Sequence, residues 1–343
     1  MDAQVEIITA REGQDPDTKP MVSVVVMNNG GWPSLQRAMD SFSEQVFTDF
    51  ETIIVENNSS INRSQDTPAD QTIEAWPRAT VIRSQTNLGF CKAANLASSV
   101  ARGRYILFVD SRTWLNGKSL GKLVETIETE PDAGIVGPLM LNEDHSLRSV
   151  GMKMDQLGQP SPNRETFGPD TEIIESAFYV PAEAMLVNKE LFTALSGFDE
   201  SYFSGLEDAD ICWRARLLGR KIVINPWAIA FCAESERERV SYLQYRNSLR
   251  MIIKNYGSLR ATAGSAKFVG STVIESFKSL VSLNPRLFWR YWKVLFWNLA
   301  MLPSSIRERR HVQSGRIEDD EQILRDVVLE EDKISMASSD RAA

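Results

Sequence analysis

The sequence predicts an α/β fold, in which a doubly wound, mainly parallel sheet is flanked by helices. Its strands read as short, continuously apolar runs of β-branched residues, the pattern of parallel strands that are buried on both faces. These runs alternate with helical segments, which parallel strands need as crossover connections. Polar residues follow several strands, at the edge where open α/β sheets bind their ligands. The three observations together predict a ligand-binding domain.

The elements of this domain follow in order after residue 20. The first strand ends in an Asn-Asn-Gly-Gly turn, and Trp32-Pro33 then begins the first helix. In chain order, we predict extended segments at residues 22–27, 50–55, 80–83, 105–109, 135–137, 178–187 and 221–224. The predicted helices between them are at residues 32–45, 92–101, 118–129, 189–195 and 205–218.

Composition divides the chain into four parts. Residues 1–20 lack apolar periodicity and carry Gly, Pro and acidic residues, which predicts a flexible acidic tail. The α/β domain is expected at residues 21–240, and long amphipathic helices form a C-terminal extension at residues 241–329. Residues 330–343 are expected to be a second flexible tail.

Charge and cysteine content restrict the partners and the compartment. The formal net charge of −8 argues against nucleic acid as the main partner, because neutralising phosphates requires a basic surface. The three scattered cysteines favour a reducing compartment over a disulfide framework or a zinc cluster. Residues 1–21 do not read as a signal peptide, and no long apolar run suggests a spanning helix. We therefore expect a cytoplasmic protein, with the inner face of the cell membrane as a surface that it can touch.

Acidic side chains are densest in residues 197–214. Carboxylates are costly to bury, so a cluster of them is either exposed or used. If Glu207 begins a helix, the helix macrodipole stabilises acids in its first turn, and that explanation needs no chemistry. Composition alone leaves both interpretations open.

Six motifs recur in a fixed order along residues 22–235. They are the strand that ends at Asn29, Val55-Glu56-Asn57-Asn58-Ser59, Asn87-Leu88-Gly89-Phe90 with Asn95, Phe108-Val109-Asp110-Ser111-Arg112-Thr113, Gly197-Phe198-Asp199-Glu200 and Glu207-Asp208-Ala209-Asp210. In order and spacing they resemble the family 2 glycosyltransferases, most closely the rhamnosyltransferase-like branch. The resemblance implies a GT-A type fold and transfer of a sugar from a nucleotide donor, with inversion at the anomeric carbon.

The resemblance also implies roles for individual residues. Asp208 matches the general base that removes the proton of the acceptor hydroxyl, with Glu207 beside it. Glu56 matches the contact to the donor base, although the family usually has Asp there and a solvated strand end is the alternative. A carboxylate accepts the imide N–H that uracil and thymine share, which favours a UDP or dTDP donor. The further donor-binding residues are Asn29, Asn58, Asn87, Gly89, Asn95, Asp110 and Arg112, of which Gly89 is alternatively a simple turn glycine.

Two positions depart from the family pattern, and both concern a metal ion. The family's acidic motif ends in a carboxylate that holds Mn²⁺ or Mg²⁺, whereas this chain has Arg112 there. Cys232 stands where a histidine is common. Arginine cannot coordinate a cation. Three interpretations stay open: Arg112 neutralises the leaving diphosphate without a metal, Asp110 still holds a weakly bound metal, or catalysis has been lost.

The acceptor side of the sequence is less informative. Trp213 and Arg214 follow the acid pair on one predicted helix and are expected to contact the acceptor, with core packing as the alternative for Trp213. Residues 285–310 combine aromatic and basic side chains, which suits either an interfacial helix on anionic lipid or a packed helix. The expected acceptor is a glycan or a lipid-linked molecule of cell-surface polysaccharide synthesis. A catalytically inactive nucleotide-sugar-binding or scaffold protein and a nucleotidyltransferase are the competing functions.

Overall fold

The computed structural model describes residues 5–8, 19–29, 31–57, 72, 74–155, 157–168, 170–174, 177–233 and 242–324. The strands in these residues are β1 Val5–Ile8, β2 Val22–Asn28, β3 Phe50–Glu56, β4 Thr80–Ser84, β5 Tyr105–Asp110, β6 Thr113–Leu115, β7 Ala133–Asn142, β8 Leu147–Ser149, β9 Met152–Met154, β10 Pro160–Pro162, β11 Ala184–Asn188 and β12 Lys221–Cys232. The helices are α1 Gly31–Ser43, α2 Gly89–Val100, α3 Ser119–Thr129, α4 Lys189–Ala194, α5 Glu207–Leu217, α6 Tyr242–Asn255, α7 Ser258–Val281, α8 Pro285–Ser314 and α9 Asp320–Leu324.

One ten-stranded sheet organises the α/β region, in the order β1-β4-β3-β2-β5-β11-β7-β12-β6, with β8 paired to β7. The neighbours β4, β3, β2 and β5 are parallel, and so are β7 and β12. Strand β11 runs antiparallel between β5 and β7 and joins these two parallel groups. The predicted α/β sheet flanked by helices is confirmed, and the direction of β11 is a feature that its apolar sequence did not reveal.

Helices cover both faces of this sheet. Along β2, Val24 and Val26 join a core with α1 and α3, whereas Val25 and Met27 join a second core with α2 and α5. Alternate side chains of a strand point to opposite faces, so a strand that is apolar at every position needs a helix layer on each side. This explains why β2 carries buried apolar side chains on both of its faces.

The N-terminal expectation needs one correction. Strand β1 lies within the segment predicted to be a flexible tail, yet it pairs antiparallel with β4, from Val5 opposite Ser84 to Ile8 opposite Val81. The edge of a sheet offers unpaired N–H and C=O groups, and these bind a short extended segment even when its sequence has little apolar periodicity. The predicted tail at residues 330–343 lies outside the described residues.

The C-terminal extension is helical, as predicted, and packs on the α/β region through α6. Helices α7 and α8 form a hairpin that packs against α6. Hydrogen bonds join the layers: Asn298 of α8 donates to the carbonyl of Arg246 at 3.0 Å, and the backbone N–H of Ile317 donates to the carbonyl of Leu217 at 2.7 Å. None of the described helices combines the length and the hydropathy that a membrane-spanning segment needs.

Candidate active site

The carboxyl ends of β2 and β5 place Asn29 beside Asp110. The amide Nδ2 of Asn29 lies 3.5 Å from Oδ2 of Asp110, and its backbone N–H donates to Oγ of Ser111 at 3.2 Å. The two strands are parallel neighbours, so their carboxyl ends meet at one edge of the sheet. The structure therefore brings together two of the predicted donor-binding residues.

Arg112 forms an ion pair with Asp110 at this edge. Its Nε lies 2.9 Å from Oδ1 of Asp110, and its Nη2 lies 3.2 Å from Oδ2. The hydrogen bonds to Asp110 raise the pKa of Arg112 above its usual range, so the guanidinium is permanently charged. The side chain of Asp110 is mostly buried and that of Arg112 is 29% exposed, which limits the contact of this pair with bulk water.

A divalent cation does not fit this arrangement. The guanidinium of Arg112 occupies both carboxylate oxygens of Asp110. Cys232 lies opposite Thr113 in the β6–β12 pair, and burial raises the pKa of its thiol to about 11, which leaves it neutral and a poor metal ligand. Among the described residues, no group of three or more His, Cys, Asp or Glu is placed to hold a metal. The hypothesis that Asp110 holds Mn²⁺ or Mg²⁺ stays untested, and the ion pair with Arg112 does not favour it.

Glu56 lies at the end of β3, where the donor base was expected. Its Oε1 accepts a hydrogen bond from Thr72 at 2.6 Å, and its Oε2 lies 2.7 Å from Nε of Arg83. The side chain is mostly buried, so it is held in one orientation and is not a freely solvated strand end. A carboxylate has about four lone-pair positions, so these two bonds leave room for the N–H of a base.

The next motif residue that the structure describes is Asn57, a neighbour of the predicted Asn58, which lies outside the described residues. Asn57 is buried; its Oδ1 accepts from the backbone of Leu88 at 2.9 Å and its Nδ2 donates to the carbonyl of Gly89 at 3.1 Å. It thereby ties the end of β3 to the loop before α2. Its position directly after the motif acid is the sequence signal by which Asn57 could have been selected.

Gly89 and Asn87 shape that loop. Gly89 has a φ of +76°, and a Cβ at this position would lie 2.5 Å from the carbonyl oxygen of Phe203. The side chain of Asn87 accepts from the backbone N–H of Gly89 at 2.8 Å. Gly89 is thus both a turn glycine and a point of close backbone approach, because another chain segment occupies the space of a side chain.

Asn95 lies one turn further along α2 and has a different partner from the one predicted. Its Oδ1 accepts from the backbone N–H of Phe198 and its Nδ2 donates to the carbonyl of the same residue, both at 2.9 Å. The amide is therefore engaged with the loop before the acid pair. We assign Asn95 a positioning role for that loop instead of a direct contact to the donor.

Two acids of the 197–214 cluster form a buried ion network. Nζ of Lys254 lies 2.8 Å from Asp199 and 2.9 Å from Asp210, and Arg250 and Arg214 complete the charge balance. Burial by itself raises the pKa of Asp199 and of Asp210, but the nearby cations outweigh it and hold both values below the usual range. These two carboxylates join α5 to α6 and are not available for catalysis.

The remaining acid pair, Glu207 and Asp208, lies at the start of α5, close to the edge of the sheet that carries Asp110. Oδ2 of Asp208 accepts from the backbone N–H of Ala182 at 3.2 Å, and the carbonyl of the next residue, Glu183, accepts from the backbone N–H of Asp110 at 3.2 Å. Two adjacent backbone groups thus connect Asp208 with Asp110. The structure brings the predicted base to the predicted donor edge.

Glu207 and Asp208 have different surroundings. Glu207 is only 7% exposed, and its Oε2 has no hydrogen-bond partner among the described residues. Burial, reinforced by the negative charge of Asp208, raises the pKa of Glu207 to about 8. Asp208 is partly exposed. Glu207 therefore holds a proton at neutral pH. Asp208 is the carboxylate of the pair that a reacting group can reach more easily.

Trp213 and Arg214 lie in the core, which corrects their predicted contact with an acceptor. Trp213 is 1% exposed and packs edge-to-face on Phe178 and Tyr256. Arg214 is also buried; besides pairing with Asp210, it donates to the carbonyl of Gly197 at 2.9 Å. Helix α5 is covered on both of these sides, and a sequence pattern does not reveal such two-sided burial.

A clamp from α6 holds the loop that precedes the acid pair. Phe203 has φ +64° and ψ −59°, and Ser204 N–H donates to the carbonyl of Tyr202 at 2.7 Å, which together define a γ-turn of the rare, strained form. The buried side chain of Asn247 donates to the carbonyls of Tyr202, Ser204 and Gly205, at 3.2, 3.1 and 2.6 Å. Strained turns persist where the surroundings over-determine them, and they cluster at functional sites.

Comparisons with known proteins bear on the family and the fold of the chain. Residues 22–192 match the family model described as Glycosyl transferase family 2. An uncharacterized glycosyltransferase of Haemophilus influenzae is 24% identical over 195 residues, which are 55% of this chain and 60% of that protein. Glycosyltransferase GlyG of Streptococcus pneumoniae is 27% identical over 59% of this chain and 67% of its own. The amylovoran biosynthesis glycosyltransferase AmsB of Erwinia amylovora is 25% identical over 64% of this chain and 74% of its own.

Solved structures share the fold. GalNAc-T7, crystallised with UDP, GalNAc and Mn²⁺, superposes with a TM-score of 0.57 at 16% identity, over 69% of this chain and 49% of that one. S. aureus TarS superposes with a TM-score of 0.50 at 18% identity, over 72% of this chain and 42% of that one. The chain spans about half the length of these two proteins. The family model that matches residues 22–192 shows that this chain belongs to glycosyl transferase family 2, and the two solved structures share its fold.

Proposed function

We propose that this protein is an inverting glycosyltransferase, which moves a sugar from a UDP- or dTDP-sugar to a glycan or lipid-linked acceptor. The observation that carries the proposal is the link between Asp208 and Asp110 through the adjacent backbone groups of Ala182 and Glu183. This link sets a partly exposed carboxylate beside the edge of the sheet where Asn29 and Arg112 lie. A base and a diphosphate site next to each other are the two parts that transfer from a nucleotide sugar requires.

The proposed reaction balances with these residues alone. The carboxylate of Asp208 takes the proton of the acceptor hydroxyl as its oxygen attacks the anomeric carbon. The bond between that carbon and the diphosphate oxygen breaks, and its electron pair leaves with the diphosphate. Attack from the face opposite the leaving group inverts the anomeric carbon. A positioned base typically contributes about 10²- to 10⁴-fold to such a step.

Arg112 supports departure of the diphosphate without a metal. Guanidinium groups form strong charge-assisted hydrogen bonds with phosphate oxygens, and the low exposure of the pair with Asp110 strengthens them. Arg112 has donors in addition to the two that bind Asp110, so a phosphate can bind without breaking the ion pair. We therefore infer a metal-independent reaction.

The proposed donor follows from Glu56 and the proposed acceptor from the relatives. Glu56 is fixed by Thr72 and Arg83 and accepts the imide N–H of uracil or thymine, which cytosine lacks. The relative AmsB acts in amylovoran biosynthesis, which supports a role in surface polysaccharide synthesis. We infer that the reaction takes place in the cytoplasm at the inner face of the membrane, with contact through residues 285–310.

Incubation of the full chain with a panel of sugar nucleotides tests this function. We expect slow release of UDP or dTDP from one donor, faster release with the correct acceptor, and weaker binding of CDP than of UDP. Asp208→Asn should retain donor binding and lose transfer, whereas Asp170→Asn, at an exposed position, should behave as wild type. Donor binding without turnover would instead indicate an inactive binding protein. Release of diphosphate from a nucleoside triphosphate would indicate a nucleotidyltransferase.

A further inference from the structure

The turn between α7 and α8 contains a leucine in an unusual position. The backbone N–H of Asn284 donates to the carbonyl of Ser279 at 2.8 Å, and that of Leu283 donates to the carbonyl of Leu280 at 3.0 Å. These two bonds define a Schellman motif, in which the residue at the position of Leu283 is usually glycine because it adopts a left-handed conformation. Leu283 has a φ of +56° and is 89% exposed. The Schellman motif accounts for this conformation, but no contact within the described residues explains why an exposed leucine occupies the position.

Further apolar side chains surround this turn. Phe277, Leu280, Val281 and Trp289 are all exposed, and the ring of Phe277 contacts that of Phe288 across the hairpin, with centroids 6.2 Å apart. The end of α7 and the start of α8 therefore present one apolar surface, which we call the hairpin tip, residues 277–289. Contiguous apolar surfaces of this kind mark sites of interaction with proteins or membranes.

A basic cleft adjoins the hairpin tip. It has a volume of about 370 Å³ and is lined by Tyr242 of α6 and by Arg286, Arg290 and Lys293 of α8. The spacing of the three cations, four and then three residues, places them on one side of the helix. Among the described residues, none of them has an acidic partner, and only the guanidinium of Arg290 has an aromatic contact, 5.8 Å from the ring of Tyr242.

Charge distinguishes the cleft from the rest of the chain. The full sequence carries a net charge of −8, so three cations without acidic partners form a local exception. An anionic group complements the charge of the cleft. The exposed apolar residues beside the cleft are covered only if the same ligand also has an apolar part. Phospholipids combine both properties, with a phosphate at the level of the headgroups and acyl chains below it.

We propose that the hairpin tip docks on an anionic phospholipid bilayer, with lipid phosphates in the basic cleft. Leu283, Val281 and Trp289 enter the acyl boundary, while Arg286, Arg290 and Lys293 bind phosphates at the surface. The proposal deepens the membrane contact included in the proposed function, because it narrows that contact to the tip and names its ligand. The later part of α8 packs one face against α6 through Asn298 and Ser305, and the proposal does not include its outward face.

Sedimentation with vesicles tests the cleft, using the full chain and either phosphatidylcholine alone or phosphatidylcholine mixed with phosphatidylglycerol. We expect binding to the mixed vesicles that is much weaker without phosphatidylglycerol. The double variant Arg286→Gln/Arg290→Gln should bind about thirtyfold more weakly, because each basic residue near such a surface contributes about fivefold. The matched control, Arg307→Gln/Arg310→Gln, removes the same charge from exposed positions of the same helix and should bind as wild type. Equal losses in both variants, or no binding of the wild type, would overturn the proposal.

Leu283→Gly tests the tip with a variant that is expected to fold well. Glycine suits the left-handed position, so the melting temperature should stay the same or rise. Vesicle binding should nevertheless fall severalfold, because a large apolar side chain is lost. Unchanged binding would show that Leu283 does not reach the lipid. Release of UDP or dTDP without vesicles reports on glycosyl transfer separately, so the two proposals can fail independently.

Discussion

The guanidinium of Arg112 binds both carboxylate oxygens of Asp110, with Nε 2.9 Å from Oδ1 and Nη2 3.2 Å from Oδ2. The cation that compensates Asp110 is therefore part of the chain. A fixed guanidinium needs no binding equilibrium, whereas a metal ion would have to displace it. Charge neutralisation at the edge of the sheet is built into the sequence at this point.

Removal of Arg112 should therefore weaken the diphosphate site. We expect wild-type turnover to be unchanged by EDTA, and Arg112→Gln to lower kcat/KM by about 10²-fold, within the range for loss of one donor that stabilises developing charge. Arg112→Lys keeps the charge but loses the forked geometry, so it should recover only part of the rate. Steady-state kinetics with and without EDTA measure these effects. A strict requirement for Mn²⁺ in the wild type would contradict them.

Much of the fold was predictable because it is encoded locally. Strand β2 is buried from Val22 to Met27 and is apolar over that span except at Ser23, since both of its faces are covered, and the sequence pattern shows this directly. Strand β1 was missed because it forms by pairing with the exposed backbone groups of β4 at the edge of the sheet. That edge exists only in the folded sheet and is not visible in the local sequence of β1. The bounds of β2 and β3 were predicted to within one residue, whereas β7 and β12 are longer and β11 is shorter than predicted. Contacts with distant partners were not predicted.

The same distinction between local sequence and distant contacts explains which site residues were predicted. The closeness of Asp208 to Asp110 was predictable because their two motifs follow one another in a fixed order along the chain, and the structure brings the two residues together. Trp213 was misplaced because nothing in its neighbourhood shows that Phe178 and Tyr256 cover it. Asn247 was missed entirely, since its three carbonyl partners lie more than forty residues away in the sequence.

The raised pKa of Glu207 predicts how stability depends on pH. Burial and the charge of Asp208 raise this pKa from 4.5 to about 8, so the folded protein binds a proton that the unfolded chain releases. The free energy of unfolding should therefore fall as pH rises from about 4.5 to about 8. Glu207→Gln stays neutral and should lack this part of the decrease, which urea unfolding across this pH range measures.

Activity provides a second test of the acid pair. Glutamine resembles a protonated glutamate, so Glu207→Gln should keep most of its transfer activity, while Asp208→Asn at the next position should lose it. The two variants make the same chemical change at adjacent positions and serve as controls for each other. Equal loss in both would show that the base function is not confined to Asp208.

Asn247→Ala should release the loop that leads to the acid pair. The carbonyls of Ser204 and Gly205 lose their side-chain donor, while that of Tyr202 keeps a hydrogen bond from Arg246, and the change is expected to cost about 1 to 3 kcal/mol of stability. Turnover should fall further than stability explains, because the γ-turn at Phe203 is no longer fixed. Asn298→Ala is the matched control, since that buried amide donates to two carbonyls outside the loop. Similar turnover in the two variants, at similar stability, would contradict a role of the clamp in catalysis.

Lys254 should contribute more to stability than any exposed lysine, because it bridges Asp199 and Asp210 in the core. Lys254→Met leaves those two acids with less compensation, and we expect a loss of about 3 to 5 kcal/mol. The control is Lys278→Met, which breaks an exposed pair with Glu275 and should cost less than about 1 kcal/mol.

The pH dependence of this network has the opposite sign to that of Glu207. The cations hold the pKa of Asp199 and of Asp210 below the ordinary 3.8, so their contribution is complete above that pH and is lost as pH falls further. Wild type should therefore lose stability steeply below about pH 4, and Lys254→Met should lose less there because part of the stabilisation is already gone. Urea unfolding at several pH values measures both slopes. If the free energy of unfolding fell equally with pH in the two proteins, protonation of Asp199 and Asp210 would not be the cause of the loss.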